Sequence, residues 1–281
     1  MADEDFALVG TPGFSMGRVL ADSFETLTRI ALRLLGIVLI LAVPLFVWLI
    51  MGGEAMLLQF ADVAATDQTG RGFDPAALMF GGLLFLIGIA IHAAVTDAAF
   101  EDLLGSEGDL LQSLARALVV APVLIGVALC VAVLFGTALF SIGFAGVLVA
   151  RVIHWSFGVA LALGGLAGLI ALAVRWWVLV PVIVVEGANP IECFRRSMAL
   201  TDGNRLKICA LILMIYLPQV VVNILLFLAV PMVGAVVVAV LNIVVSGLFV
   251  TFNAVATVMV YGHLRAIKEG STTDMLARVF D

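Results

Sequence analysis

The sequence predicts an all-α integral membrane protein: six transmembrane helices as three serial hairpins, with short amphipathic helices at the cytoplasmic surface. Three observations carry this. Apolar residues make up 64% of the 281 residues and charged residues 12%, far from the usage of soluble domains. Long stretches contain no Asp, Glu, Lys or Arg, namely Leu34 to Met51, Ala76 to Thr96, Ala117 to Ala150 and Ile208 to Gly262. The basic residues also gather on one side of any six-span arrangement.

Residues 1–33 form the first element. The acidic start, Met1 to Asp5, does not resemble a secretory signal, so the first span is expected to remain in the mature protein. At 100° per residue, Met16, Leu20, Phe24, Leu27, Ala31 and Leu34 fall on one stripe. Arg18, Asp22, Glu25, Arg29 and Arg33 fall opposite. Such a helix either lies in the headgroup region, with Arg18, Arg29 and Arg33 meeting phosphates, or packs its apolar face on other helices of the chain.

Crossing the hydrocarbon takes roughly 20 helical residues. Spans are therefore expected at about 34–51, 76–100, 117–140, 158–185, 207–230 and 233–262, within a single membrane domain that ends in a tail at 263–281. The third and fourth spans would turn between Ser141 and Trp155, and the last two around Pro231 to Gly234. A seven-span alternative would divide residues 117–185 three ways. With six spans, Arg18, Arg29, Arg33, Arg116, Arg195, Arg196, Arg205, Lys207, Arg265, Lys268 and Arg278 share one side. Arg71 and Arg151 fall on the other and Arg175 inside a span. The positive-inside rule then places both termini in the cytoplasm.

Each cytoplasmic segment repeats a glycine followed eight residues on by an arginine: Gly10 and Arg18, Gly108 and Arg116, Gly187 and Arg195, Gly270 and Arg278. Either a serial hairpin unit or the ordinary composition of short loops explains the pattern. The third copy predicts a surface helix with Asn189 as cap, Pro190 in its first turn, Glu192 reaching back to the cap, and Gly203 at its end. Ile191, Phe194 and Met198 share a face, leaving Arg195 and Arg196 free for phosphate or water.

Catalytic and cofactor signals are weak. Gly13 to Gly17 fits G-x-S-x-G, but an all-helical chain offers no strand-to-helix elbow, so Ser15 reads as the start of the first surface helix. His92, His154 and His263 lack metal-ligand spacing, and Cys130, Cys193 and Cys209 read as buried small residues. His154 beside Trp155 and His263 after Tyr261 suit the outer and inner interfaces. No metal, no cofactor, no catalytic residue and no nucleic-acid partner is expected.

Polar residues inside spans point to sites by default. His92, Asp97 and Arg175 form a candidate buried polar site, as a relay or as an ion pair of Asp97 with Arg175. Asn223, Asn242 and Asn253, with Gln219 and Ser246, read as inter-helix hydrogen bonds. Gly164 and Gly168 form a G-x-x-x-G favoured for contact within the chain.

The stretch Arg175 to Lys207, RWWVLVPVIVVEGANPIECFRRSMALTDGNRLK, resembles the membrane domain superfamily of glycerophosphodiester phosphodiesterases and the YciC-like bacterial inner-membrane proteins. The matching positions are Arg175, Trp176, Pro181, Glu186, Gly187, Arg196, Ser197, Leu200, Thr201, Gly203 and Arg205. The resemblance implies a bacterial inner-membrane protein of about six spans. In fused members of that superfamily catalysis belongs to a separate soluble barrel, so no phosphodiesterase activity is expected here.

The functional expectation is a non-enzymatic membrane protein that engages membrane lipid, or an unidentified membrane or cytoplasmic protein, in envelope homeostasis. Arg18, Arg29, Arg33, Arg195, Arg196 and Arg205 are the candidate contacts, and oligomers are compatible with it. The alternative is a transporter or permease accessory subunit built around the buried polar residues. A lipid-modifying enzyme using Ser15 ranks last.

Overall fold

The computed structural model describes residues 14–48, 75–105, 109–187 and 189–270. Among these residues every regular element is helical: α1 (Met16–Arg29), α2 (Ala31–Trp48), α3 (Pro75–Leu103), α4 (Leu110–Val152), α5 (Trp155–Trp176), α6 (Leu179–Glu186), α7 (Pro190–Thr201), α8 (Arg205–Val233) and α9 (Ala235–Arg265), then a π-helical turn Ala266–Gly270. The repeat positions Gly10, Gly108 and Arg278, the loop arginine Arg71 and the motif residue Gly13 lie outside the described residues.

Five of these helical stretches are long and apolar enough to cross a membrane: Gly81–Leu103, Leu110–Val152, Trp155–Glu186, Arg205–Val233 and Val240–Glu269. In three of them only 11% of the apolar window is buried inside the protein. Side chains such as Phe140, Phe227 and Leu248 are more than half exposed, so the surrounding medium that suits these helices is hydrocarbon. The first expected span begins inside α2, and its last residues, 49–51, lie outside the described region.

Helix ends follow local chemistry. The turn expected between Ser141 and Trp155 falls at Ile153 and His154. Ser141 donates back to the Thr137 carbonyl (2.7 Å) without breaking the helix, so α4 runs on to Val152. His154 is extended, and its Nδ1 accepts the Ser156 amide at 3.3 Å to start α5. The fourth expected span is interrupted between α5 and α6, because Pro181 has no N–H to give Trp177 and its ring crowds that carbonyl. Gly187 ends α6 at φ 58° and Gly203 follows α7 at φ 83°, conformations that glycine adopts without strain.

The contacts divide the chain into two compact units. One comprises Gly17–Val119 with Leu213–Met259; the other comprises Met1–Met16, Val120–Ile212 and Val260–Asp281.

In the first unit, α1 buries Val19, Ser23 and Thr26 and leaves Phe24 57% exposed, its ring 4.9 Å from that of Phe252. Ser23 can be buried because its hydroxyl donates to the Val19 carbonyl at 2.6 Å. On the apolar stripe read from the sequence, Met16, Leu20 and Leu27 are half-buried, Phe24 and Ala31 are exposed and Leu34 is buried, so the stripe is covered in part by the protein. Helix α2 buries Leu34 and Ile37, and α3 buries a run of small residues, Ala93, Ala94, Ala98 and Ala99.

In the second unit, α4 and α5 meet through glycines. A Cβ on Gly158 would lie 2.3 Å from the Gly146 carbonyl oxygen, and one on Gly165 would lie 2.7 Å from Ile142. At Gly164 and Gly168 a Cβ would meet nothing, so the G-x-x-x-G does not serve the internal contact expected of it. A neighbouring pair with different spacing does. Cys193 is buried, but Cys130 is exposed on α4 and Cys209 is half-buried, unlike the uniform burial expected.

Candidate functional site

The 33 residues resembling a known superfamily converge in the second unit. The break before Pro181 leaves the last carbonyls of α5 without helical partners, and α7 supplies one. Ser197 Oγ donates to the Arg175 carbonyl at 2.8 Å, with Thr201 Oγ1 at 3.5 Å from the same oxygen. This explains why α7 buries Cys193, Ser197, Leu200 and Thr201 while Ile191 is 68% exposed, a face rotated from the Ile191, Phe194, Met198 stripe expected. The Trp176 ring lies edge-on to Phe194 at 4.9 Å and near Phe135 at 6.1 Å. Asn189 occupies the cap position without a side-chain cap bond. The capping box with Glu192 does not form, and the Asn189 carbonyl takes the Cys193 amide at 3.0 Å as the first bond of the helix.

Glu186, at the end of α6, anchors a second cluster. Arg196 Nε donates to both its oxygens, at 3.1 and 3.3 Å, and the Tyr261 hydroxyl donates to Oε1 at 2.8 Å. Arg196 Nη2 reaches Glu269, which also accepts from Arg265 Nε at 2.7 Å. The hydrogen bond to Glu269 raises the Arg196 pKa above its usual range; burial opposes this and Glu186 adds to it. Arg196 is thus engaged rather than free for phosphate. Tyr261 is fully buried and His263 is 8% exposed, and the Tyr261 hydroxyl satisfies a carboxylate. Arg205 pairs with Asp202 at 2.8 Å, whereas Arg195 is exposed on α7.

Arg175 itself has a different standing. Its Nε is buried without a hydrogen-bond partner, as are Nε1 of Trp176 and of Trp177. Among the described residues of its unit, no carboxylate pairs with it.

The first unit holds the remaining polar residues as an ion-pair cluster. Asp97 and Glu101 stand one turn apart on α3, and Ser113 and Arg116 nearly one turn apart at the start of α4. Glu101 bridges two arginines: Oε1 lies 2.9 Å from Arg116 Nη1 and Oε2 lies 2.5 Å from Arg33 Nη2. Arg33 also reaches Ser113 Oγ at 2.5 Å, and Arg116 reaches Asp97 Oδ1 at 3.1 Å. Arg29 lies 2.6 Å from Glu25 and 3.6 Å from Asp102. The carboxylate nominated for Arg175 is therefore engaged by Arg116, and Arg175 belongs to the other unit. Deeper along α3, His92 sits near Thr96 (3.4 Å) and Asn253 (3.5 Å), and Asn242 donates to Asn223 at 3.3 Å as an inter-helix bond.

Glu101 and Arg116 escaped the sequence reading. Their signal was present in part, because Asp97 and Glu101 share an i, i+4 face; their pairing with Arg33 depends on tertiary packing that no spacing reveals.

Together these features define a class: among the described residues, an all-helical protein with five candidate membrane-spanning helices and two clusters of paired charged side chains, one in each unit. No family model matches the sequence, and neither the curated proteins nor the solved structures contain a significant match.

Proposed function

We propose that this chain is a six-span, non-enzymatic protein of the bacterial inner membrane with both termini in the cytoplasm, akin to the membrane domains named above. In this reading it engages an anionic membrane lipid at Arg175, in the service of membrane or envelope homeostasis. The observation that carries the reading is the unpaired guanidinium. A charge within a span costs at least about 2.5 to 3.5 kcal/mol on insertion scales, and such residues pair or mark a pathway. Arg29, Arg33, Arg196 and Arg205 all have carboxylate partners in the protein. Arg175 has none among the described residues, and the Trp176 and Trp177 indoles beside it are amphipathic groups suited to headgroup level. A lipid phosphate supplies the missing acceptor, and exposed Arg195 adds a second cation on the same unit.

The test is native mass spectrometry of protein purified in mild detergent. Wild-type protein is expected to retain an anionic phospholipid, Arg175→Gln to lose it, and Arg175→Lys to keep part of it. Equal retention in Arg175→Gln and wild type sinks the reading.

A transporter or permease accessory subunit is the second reading, supported by Asp97 Oδ2 and Asn253 Oδ1, both buried without a partner. Water reaching this site would allow Asn253→Cys to react with a small charged thiol reagent in intact vesicles. Complete protection of that cysteine rules the reading out.

A further inference from the structure

Helices α1, α2, α3 and α9 of the first unit enclose a groove of about 670 Å³, in the range of ligand pockets. Among the described residues that line it there is no Asp, Glu, Lys, Arg or His. The few polar residues in its wall spend their donors inside the protein. Thr28 donates to the Glu25 carbonyl (2.8 Å), Thr251 to the Gly247 carbonyl (2.8 Å), Ser246 to Asn242 (3.4 Å), and Asn242 to Asn223 (3.3 Å). Only the second amide hydrogen of Asn242 is left over as a donor from this set. A charged or strongly polar occupant would give up its hydration there without compensation, whereas hydrocarbon loses nothing.

Two glycines keep the groove open. A Cβ built on Gly88 of α3 or on Gly247 of α9 meets no atom within 4 Å, so each faces empty space. Leu35 and Leu39, on the α2 wall, are each 53% exposed. At the α1 rim, Thr28 adjoins the exposed Glu25–Arg29 pair, 2.6 Å apart, with Asp102 3.6 Å from the same guanidinium, so negative and positive groups stand side by side. That arrangement complements a headgroup bearing both a phosphate and an amine.

We infer that the groove is a site for one acyl chain of a zwitterionic diacyl phospholipid, whose headgroup lies at the Glu25–Arg29 pair. The inference rests on the membrane reading above but not on lipid binding at Arg175, which lies in the other unit and selects an anionic rather than a zwitterionic headgroup.

The experiment uses full-length Arg175→Gln protein, in which the anionic site is removed, and phosphatidylethanolamine as the probe, with phosphatidylglycerol as competitor at equal mole fraction. Native mass spectrometry in mild detergent is expected to show one phosphatidylethanolamine per chain. Adding Gly88→Leu and Gly247→Leu should lower its occupancy at least tenfold. Single Gly88→Ala and Gly247→Ala variants, which add one methyl into open space, should lower it in smaller steps, and they keep the test alive if the leucine pair fails to fold. Undiminished occupancy across the glycine series, a preference for phosphatidylglycerol, or the absence of any bound lipid overturns the inference. Loss of anionic lipid from the Arg175→Gln background has no bearing on these outcomes, so the two proposals fail separately.

Discussion

Glu101 is the residue whose removal should disturb the first unit most. Its carboxylate is 10% exposed and shared between Arg33, 14% exposed, and Arg116, 49% exposed. Two unit charges with centres about 4 Å apart attract by about 4 kcal/mol at an effective dielectric of 20, the value suited to partly buried pairs. The Arg33 pair approaches that figure. The Arg116 pair, half open to its surroundings, is worth at most about 1 kcal/mol. Against this stands the desolvation already spent on the charges, so the useful quantity is the cost of orphaning one partner, about 3 to 5 kcal/mol. Glu101→Gln leaves Arg33 with neutral acceptors only, the amide oxygen put in place of the carboxylate, the Ser113 hydroxyl and the Asp109 carbonyl, and should destabilise the protein by about that amount. Arg33→Gln should do likewise by stranding half of Glu101. Because the two substitutions remove one interaction, the double variant should be less destabilised than the sum, with a coupling of about 1 to 3 kcal/mol. Reversible denaturant titration in detergent micelles, followed by tryptophan fluorescence, measures all four proteins. Strictly additive effects, or single losses below about 1 kcal/mol, would refute the argument that this pair is buried and mutually dependent.

Other consequences are equally concrete. Gly158→Ala places a methyl against the Gly146 carbonyl and the Ala150 backbone, so α4 and α5 must part; a loss of about 1 to 3 kcal/mol is expected in the same titration, while Gly164→Ala should change little. Ser197→Ala leaves the Arg175 carbonyl at the end of α5 with only the longer Thr201 Oγ1 contact and should cost about 1 kcal/mol, with faster amide exchange at the start of α6. Tyr261→Phe removes a donor to Glu186 and should cost about 1.5 to 3 kcal/mol, whereas Tyr216→Phe, on a half-exposed ring, should cost less.

Much of the helical layout was readable because hydropathy acts over whole segments. The charge-free runs at Ala76 to Thr96 and Ile208 to Gly262 fall inside long helices, and Gly234, φ 89°, separates α8 from α9 where Pro231 to Gly234 was expected to turn. Exact ends were less readable. His154 rather than a glycine or proline closes the turn after α4, because its ring nitrogen can accept the Ser156 amide, a local bond that composition does not reveal.

The sites were readable in identity more than in partnership. The resemblance singled out Arg175, Glu186, Arg196, Ser197 and Thr201, and the structure joins them through the Arg175 carbonyl at the end of α5 and a carboxylate shared with Tyr261. Tyr261 is distant in sequence, so nothing in its spacing announced that contact. The arginines assigned to lipid illustrate the same limit: side-chain type predicts a partner of opposite charge but not whether the protein or the membrane provides it. Arg33, placed on a polar helix face by periodicity, ended 14% exposed because α3 presented Glu101 at the same level.

The account stands on the claim that the apolar helices thread a bilayer six times with the motif-bearing segment on the inner side. Single cysteines placed at Gly203, Asp281 and His154 in a chain lacking Cys130, Cys193 and Cys209, challenged in intact cells with a membrane-impermeant maleimide, test it directly. The account predicts labelling at His154 and protection at Gly203 and Asp281 until the membrane is permeabilised. Labelling of Gly203 or of Asp281 in intact cells would contradict it.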